Sequence, residues 1–147
     1  MKISITFMCI LVSIPAMGAD TVCPDLAGTY YHCDFAASFL SPFGERIDQV
    51  VIAQNADAAG ITTYFVDETI KGVVTKTSII ADGQPHGTQG TAYCAEGVLT
   101  QEFDAPVFGH TASVRSETSG NQEKVFRNGE VLRASFSAHI HGSCWRK

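Results

Sequence analysis

Residues 130–141 read Glu130-Val131-Leu132-Arg133-Ala134-Ser135-Phe136-Ser137-Ala138-His139-Ile140-His141. Leu132, Ala134, Phe136, Ala138 and Ile140 occupy every second position, and Val131, Arg133, Ser135, Ser137, His139 and His141 stand between them. A period of two marks a strand with one buried and one wet face. The alternation predicts a single long strand with Leu132, Phe136 and Ile140 in the core. Arg133, Ser135, His139 and His141 then face water or a cleft. A shift of one residue would bury an arginine and two histidines and expose the apolar set.

The same reading extends to most of the chain. Leu26 to Cys33, Arg46 to Gln54, Ile61 to Asp67 and Ile70 to Ala81 are strand-like, the last three rich in β-branched residues. Thr88 to Ala95 and Val98 to Phe103 flank Glu96-Gly97, a tight hairpin signal. Thr111 to Thr118 ends at Ser119-Gly120-Asn121. Gln122 to Phe126 is joined to the last strand by Arg127-Asn128-Gly129, where Asn-Gly tolerates the positive φ of a hairpin turn. Eight or nine strands with short turns make an antiparallel meander, because parallel neighbours need long crossovers. No 12-residue helical pattern separates the strands, which excludes an α/β fold. The expected class is all-β: an up-and-down meander closed or nearly closed into a barrel, since closure removes exposed edges. A two-sheet sandwich is the alternative.

The N-terminus has the layout of a secretory signal peptide. Met1-Lys2 is positive, Ile3 to Ile14 is an apolar run of 12 residues, and Pro15 is followed by the small residues Ala16, Gly18 and Ala19. The run falls short of the ~20 residues that span a bilayer. Residues 1–19 are therefore expected to be removed, leaving a single domain over 20–147 that is secreted or periplasmic. Losing Lys2 takes the formal net charge from −5 to −6. An acidic chain without a basic run has no electrostatic footprint for nucleic acid, and no membrane span is expected in the mature chain.

Removal of Cys9 with the signal leaves four cysteines, Cys23, Cys33, Cys94 and Cys144, an even set that reads as two disulfides. If Leu26 to Cys33 is extended at about 3.3 Å per residue, Cys33 lies too far from Cys23 for a bridge. Each N-terminal cysteine is then expected to reach either Cys94 or Cys144, with the pairing open. Between the first strands, Asp34 to Pro42 reads as a short helix with Phe35 and Phe39 on one face. It would plug one barrel end, or cover it as a lid.

Leu26-Ala27-Gly28-Thr29-Tyr30 resembles the Leu-x-Gly-x-aromatic opening of the calycin barrels, the lipocalins and avidins. Thr63-Tyr64, His86-Gly87-Thr88-Gln89 and Arg127-Asn128-Gly129-Glu130-Val131-Leu132 are similar to avidin stretches in the same order. The resemblance implies a barrel whose base is plugged by the aromatic residue. It implies a ligand-stacking role for Phe136 and a ligand-bonding role for Tyr64. The chain departs from avidins in its single tryptophan, Trp145, which stands near the C-terminus.

Motifs for chemistry are sparse. The chain carries no Gly-x-Ser-x-Gly, His-Glu-x-x-His, phosphate loop or EF-hand loop. His139-x-His141 is the sharpest candidate, because two imidazoles on one strand face suit a metal; a catalytic centre would need a third ligand, for which Asp34, Glu102 and His110 are the candidates. A solvated outer face explains the pair as well. Glu102 and Asp104 share a strand face without a feature that would make them a glycosidase pair. His32, His86 and His110 read as rim or loop residues. The expectation is an exported, non-enzymatic barrel without a cofactor, binding a small apolar or mixed ligand or a partner. The alternatives are an interaction protein with a filled barrel, and a metal-dependent enzyme using His139 and His141. Non-reducing peptide mapping is expected to find all four mature cysteines oxidised with no Cys23–Cys33 link; free thiols at these positions would defeat this reading.

Overall fold

The structure, a computed structural model, describes residues 22–34, 46–107, 110–133 and 136–147. The signal segment and nearly all of the expected helix after Asp34 lie outside the described residues, as do the side chains of Leu132, Arg133, Ser135, Phe136 and Ile140. The described chain is an antiparallel meander of nine strands. They are β1 (Gly28–Tyr31), β2 (Gln49–Ala56), β3 (Thr62–Ile70), β4 (Val73–Ile80), β5 (Thr91–Ala95), β6 (Val98–Val107), β7 (His110–Gly120), β8 (Lys124–Arg133) and β9 (Phe136–Arg146). Their order in the sheet is β4-β3-β2-β1-β9-β8-β7-β6-β5. The first and last strands meet through Tyr30 opposite Arg146 and Tyr31 opposite Trp145, which nearly closes the barrel. One seam remains, between β4 and β5. Pro85 lies against Thr91 as a one-residue antiparallel bridge there, and Gly83 N donates to Ala92 O.

Turn chemistry sets the register. Glu96-Gly97 forms the expected hairpin with φ of +52° and +73°. Lys71-Gly72 forms a second, with φ of +50° and +79°, so the expected strand from Ile70 to Ala81 is interrupted near its start. Lysine is not a residue that announces a positive φ, and only Gly72 could have marked this turn.

Two further expectations are corrected. Arg127-Asn128-Gly129 is not a turn: it lies within β8, where Arg127 is opposite Thr118 and Gly142, and Asn128 opposite Glu117 and His141. Asn-Gly permits a hairpin without compelling one, and here pairing with both neighbours holds it extended. The stretch from Glu130 to His141 is not one strand but the end of β8 and the start of β9, with Val131 opposite Ala138. Each strand has its own alternation, so Val131, placed by the single-strand reading on the polar face, is fully buried. His139 and His141 are exposed, as that reading expected.

The barrel interior is layered. On β3 Tyr64 and Val66 point inward, on β6 Leu99, and on β8 Val125; they join Leu26, Tyr30, Val50, Ile52 and Ile79 in one apolar cluster. Phe103, Ala105, Ala112, Val114 and Val131 form a second. The inward positions between these clusters are polar: Glu68 on β3, Gln101 on β6, Ser116 on β7 and Arg127 on β8, all buried. Arg127 Nη2 donates to Ser116 Oγ at 3.2 Å, and Gln101 Nε2 to Gln89 O at 3.1 Å. Burial holds the Arg127 guanidinium down at about 10, and the Glu68 carboxylate offsets part of that by favouring its charged form. Tyr30, the residue expected to plug the barrel base, is wholly buried. Its hydroxyl donates to Leu26 O at 2.7 Å and accepts from Arg146 Nη2 at 2.9 Å.

Disulfides Cys23–Cys94 and Cys33–Cys144 resolve the open pairing. They span 71 and 111 residues of sequence, so each removes much freedom from the unfolded chain, on the order of 4–5 kcal/mol by loop entropy. Such bridges form and persist in an oxidising compartment. Among the described residues no helix is long and apolar enough to cross a membrane. Glu68→Gln is expected to destabilise the fold by about 3–5 kcal/mol, because it removes a buried carboxylate whose charge favours the buried Arg127 guanidinium. Replacing both by apolar residues, Glu68→Leu with Arg127→Met, is expected to recover most of that loss in urea unfolding. If the double variant is no more stable than the single, the two charges are not coupled.

Candidate functional site

Among the described residues, buried inward side chains pack together, and Tyr64 is an instance. It is only 1% exposed, and its hydroxyl donates to Pro24 O at 2.9 Å and lies 3.9 Å from Cys94 Sγ. Tyr64 thus holds the N-terminal segment against the barrel beside the Cys23–Cys94 bridge. Burial, and then the nearby Asp25 carboxylate, push its phenol well above the usual range, so it stays neutral and donating. The other residue implied by the avidin resemblance, Phe136, begins β9, and its side chain lies outside the described residues.

The recessed surfaces with functional chemistry lie on the outside of the sheet. One crosses β7, β8 and β9. Strand pairing sets Arg115 opposite Glu130 and Glu130 opposite His139, and in the next row Glu117 opposite Asn128 and Asn128 opposite His141. These six residues line a cleft of about 310 Å³. His141 Nδ1 lies 2.9 Å from Asn128 Oδ1. Arg115 Nη2 donates to Glu117 Oε1 at 3.4 Å, and its Nε is 4.0 Å from Glu102 Oε1. The candidate third ligands stand elsewhere: Asp34 accepts from Ser143 Oγ at 3.3 Å, Glu102 faces Arg115, and His110 opens β7. Among the described residues no three metal-binding side chains converge on one point. Asp104 is exposed on β6 like Glu102.

The second cleft, about 340 Å³, lies where β1 meets the end of β9 and is lined by Tyr31, His32, Trp145, Arg146 and Lys147. Tyr31 pairs with Trp145, and Trp145 with Lys124, so one row on the outer face runs phenol, indole, ammonium. Lys124 Nζ stands 3.4 Å from the Trp145 ring centroid, and Lys147 Nζ 5.6 Å from that of Tyr31. Trp145 is nevertheless 44% exposed. An exposed indole beside a half-buried phenol and ammonium groups offers a surface that suits rings and anions.

Sequence reasoning reached the histidine cleft but missed this one. The signal was present in Trp145, the only tryptophan, followed by Arg146-Lys147. What strand periodicity could not supply was Tyr31, more than a hundred residues away in sequence and adjacent only because β1 pairs with β9. Of the remaining histidines, His32 lines this second cleft. His86 sits in the seam loop with Nε2 3.0 Å from Asp82 Oδ1. The Gln84 amide, with help from His86, holds the Asp82 carboxyl below the usual range. No protein family, curated protein sequence or solved structure matches the chain.

Tyr64→Phe is expected to cost about 1–3 kcal/mol at neutral pH, by stripping Pro24 O of its donor in a buried place. The raised phenol pKa fixes the sign of the alkaline effect. Its stabilisation is complete below the unfolded-state value near 10 and is lost as pH rises toward the folded value. Wild type should therefore lose stability from about pH 10 upward more steeply than Tyr64→Phe. Denaturant midpoints measured between pH 8 and 11 check this; parallel curves would remove Tyr64 from the account.

Proposed function

We propose that the mature chain is an exported, calycin-like β-barrel that binds a small ligand on its outer face, at the Tyr31–Trp145 cleft, without transforming it. Secretion or periplasmic export is supported by the N-terminal segment with its apolar run and by two disulfides, which need an oxidising compartment. The Leu26–Tyr30 stretch, with Tyr30 wholly buried, supports the calycin-like reading. The described inward residues are buried in packing and in a polar layer that includes Glu68 and Arg127, which favours recognition from outside.

The observation that carries the reading is the exposed Trp145 in a row with Tyr31 and Lys124. The chain has 10 lysines and arginines against 15 acidic residues, yet two cations, Lys124 and Lys147, gather at these rings. A ligand suited to that surface has a ring to lie on the aromatics and a negative charge to meet the ammonium groups, as an acidic saccharide has. Binding is all that such a cleft needs to perform. The packed interior also favours a second reading, an interaction protein that presents this face to a protein partner; Trp and Tyr are the side chains that anchor such contacts.

The single tryptophan makes the test direct. Titration with an oligogalacturonate is expected to change Trp145 fluorescence saturably, and the neutral galactose oligomer is expected to bind about tenfold more weakly. Lys147→Ala should weaken the acidic sugar about fivefold or more, and added salt should do the same. Equal response to charged and neutral sugars, or none to either, would overturn the acidic-saccharide assignment.

A further inference from the structure

We infer that the histidine cleft on the outer face of β7–β9 is a chelating site for a divalent transition-metal ion, separate from the Tyr31–Trp145 cleft. His139 and His141 are two residues apart on one strand and both are exposed. Successive side chains on one strand face stand about 6.6 Å apart at the backbone, close enough for two imidazoles to lean onto one ion.

The tautomer points the same way. Asn128 Oδ1 can only accept, so the neutral His141 that meets it at 2.9 Å carries its proton on Nδ1. That leaves the Nε2 lone pair free for an ion. An oxygen acceptor behind the non-ligating nitrogen is the arrangement metal-bound histidines use to fix ring orientation. Glu130 lies directly opposite His139 across the β8–β9 ladder, and its carboxylate is the nearest candidate for a third ligand. Among the described lining residues the one cation, Arg115, is already engaged by Glu117 and Glu102. The two imidazoles are therefore not set against an uncompensated positive charge.

Because no three donors converge among the described residues as the side chains stand, this is a site of capture. Two imidazoles hold the ion, the Glu130 side chain turns toward it, and water fills the remaining positions. Nitrogen with carboxylate suits Zn2+ and Cu2+, with Cu2+ the tighter by the ordinary order of divalent metals.

The test is calorimetric titration of the disulfide-intact mature chain with Zn2+ and with Cu2+ at neutral pH. One ion per chain is expected, with Cu2+ tighter than Zn2+. His139→Ala and His141→Ala should each weaken binding tenfold or more. Glu130→Gln and Asn128→Ala should each weaken it by a smaller factor. His86→Ala, in the seam loop, should leave it unchanged. All of these positions except Glu130 and His86 are exposed, and unchanged Trp145 emission confirms that a variant is folded. No saturable binding at about 1 mM metal, or undiminished binding in the variant lacking both His139 and His141, would overturn the proposal. These results do not depend on saccharide binding, so each proposal fails on its own.

Discussion

Eight antiparallel junctions join nine strands, so β4 and β5, the two that meet across the seam, run in the same direction. Parallel neighbours cannot be joined by a tight turn, and residues 81–90 must carry the chain back before β5 begins. Much of the local detail follows from that constraint. The Pro85 bridge and the Gly83–Ala92 hydrogen bond lay the returning segment along the edge of β5. Gln89 reaches back to Thr77 Oγ1 and Ser78 Oγ at 3.3 and 3.5 Å. Gly90, at φ +70°, passes so close to β6 that any side chain would overlap the Glu102 carbonyl. Cys23–Cys94 ties β5 to the N-terminal segment. The first half of β4 has no such cover: Val73 and Val74 are exposed, with Lys76 beside them paired to Asp67. A charged residue on an uncovered edge is how such strands avoid pairing with other chains.

The interior answers a different problem. A barrel of this size can hold a ligand or its own side chains. Here the inward positions of β6 and β8 run apolar, polar, apolar, and the polar layer includes the charged side chains of Glu68 and Arg127. Buried charges are poor at adding to stability. What the layer does is fix register: sliding β3 or β8 would set Glu68 or Arg127 against a hydrophobic neighbour. Specificity of pairing is the best-attested use of buried polar groups.

Much of this was legible in the chain, and the exceptions have physical causes. Period-two patterning located nearly every strand, and Glu96-Gly97 marked its hairpin. Arg127-Asn128-Gly129 misled because local permissiveness says nothing about whether two neighbouring strands will claim the segment. The break between β8 and β9 was hidden because apolar residues happened to alternate across it, so two short patterns ran together as one. Glu68 continues the inward series Thr62, Tyr64, Val66, and its place was readable. Its dependence on Arg127 was not, because the two approach only through the closed barrel. The exposure of His139 and His141 followed from patterning, whereas the Asn128 contact needed the true register of β8 against β9.

Because β1 finds its second neighbour in β9, the sheet has an order of assembly. Cys33 waits for Cys144, 111 residues later, and Tyr30 for Arg146. A chain emerging from the ribosome can form the β2–β3–β4 and β6–β7–β8 hairpins early, but β1 keeps an unpaired edge until β9 has been made. Contacts between such distant residues slow folding to milliseconds or longer. The finished barrel is thus a late event, since closure waits until the strand carrying Cys144 and Arg146 has been made.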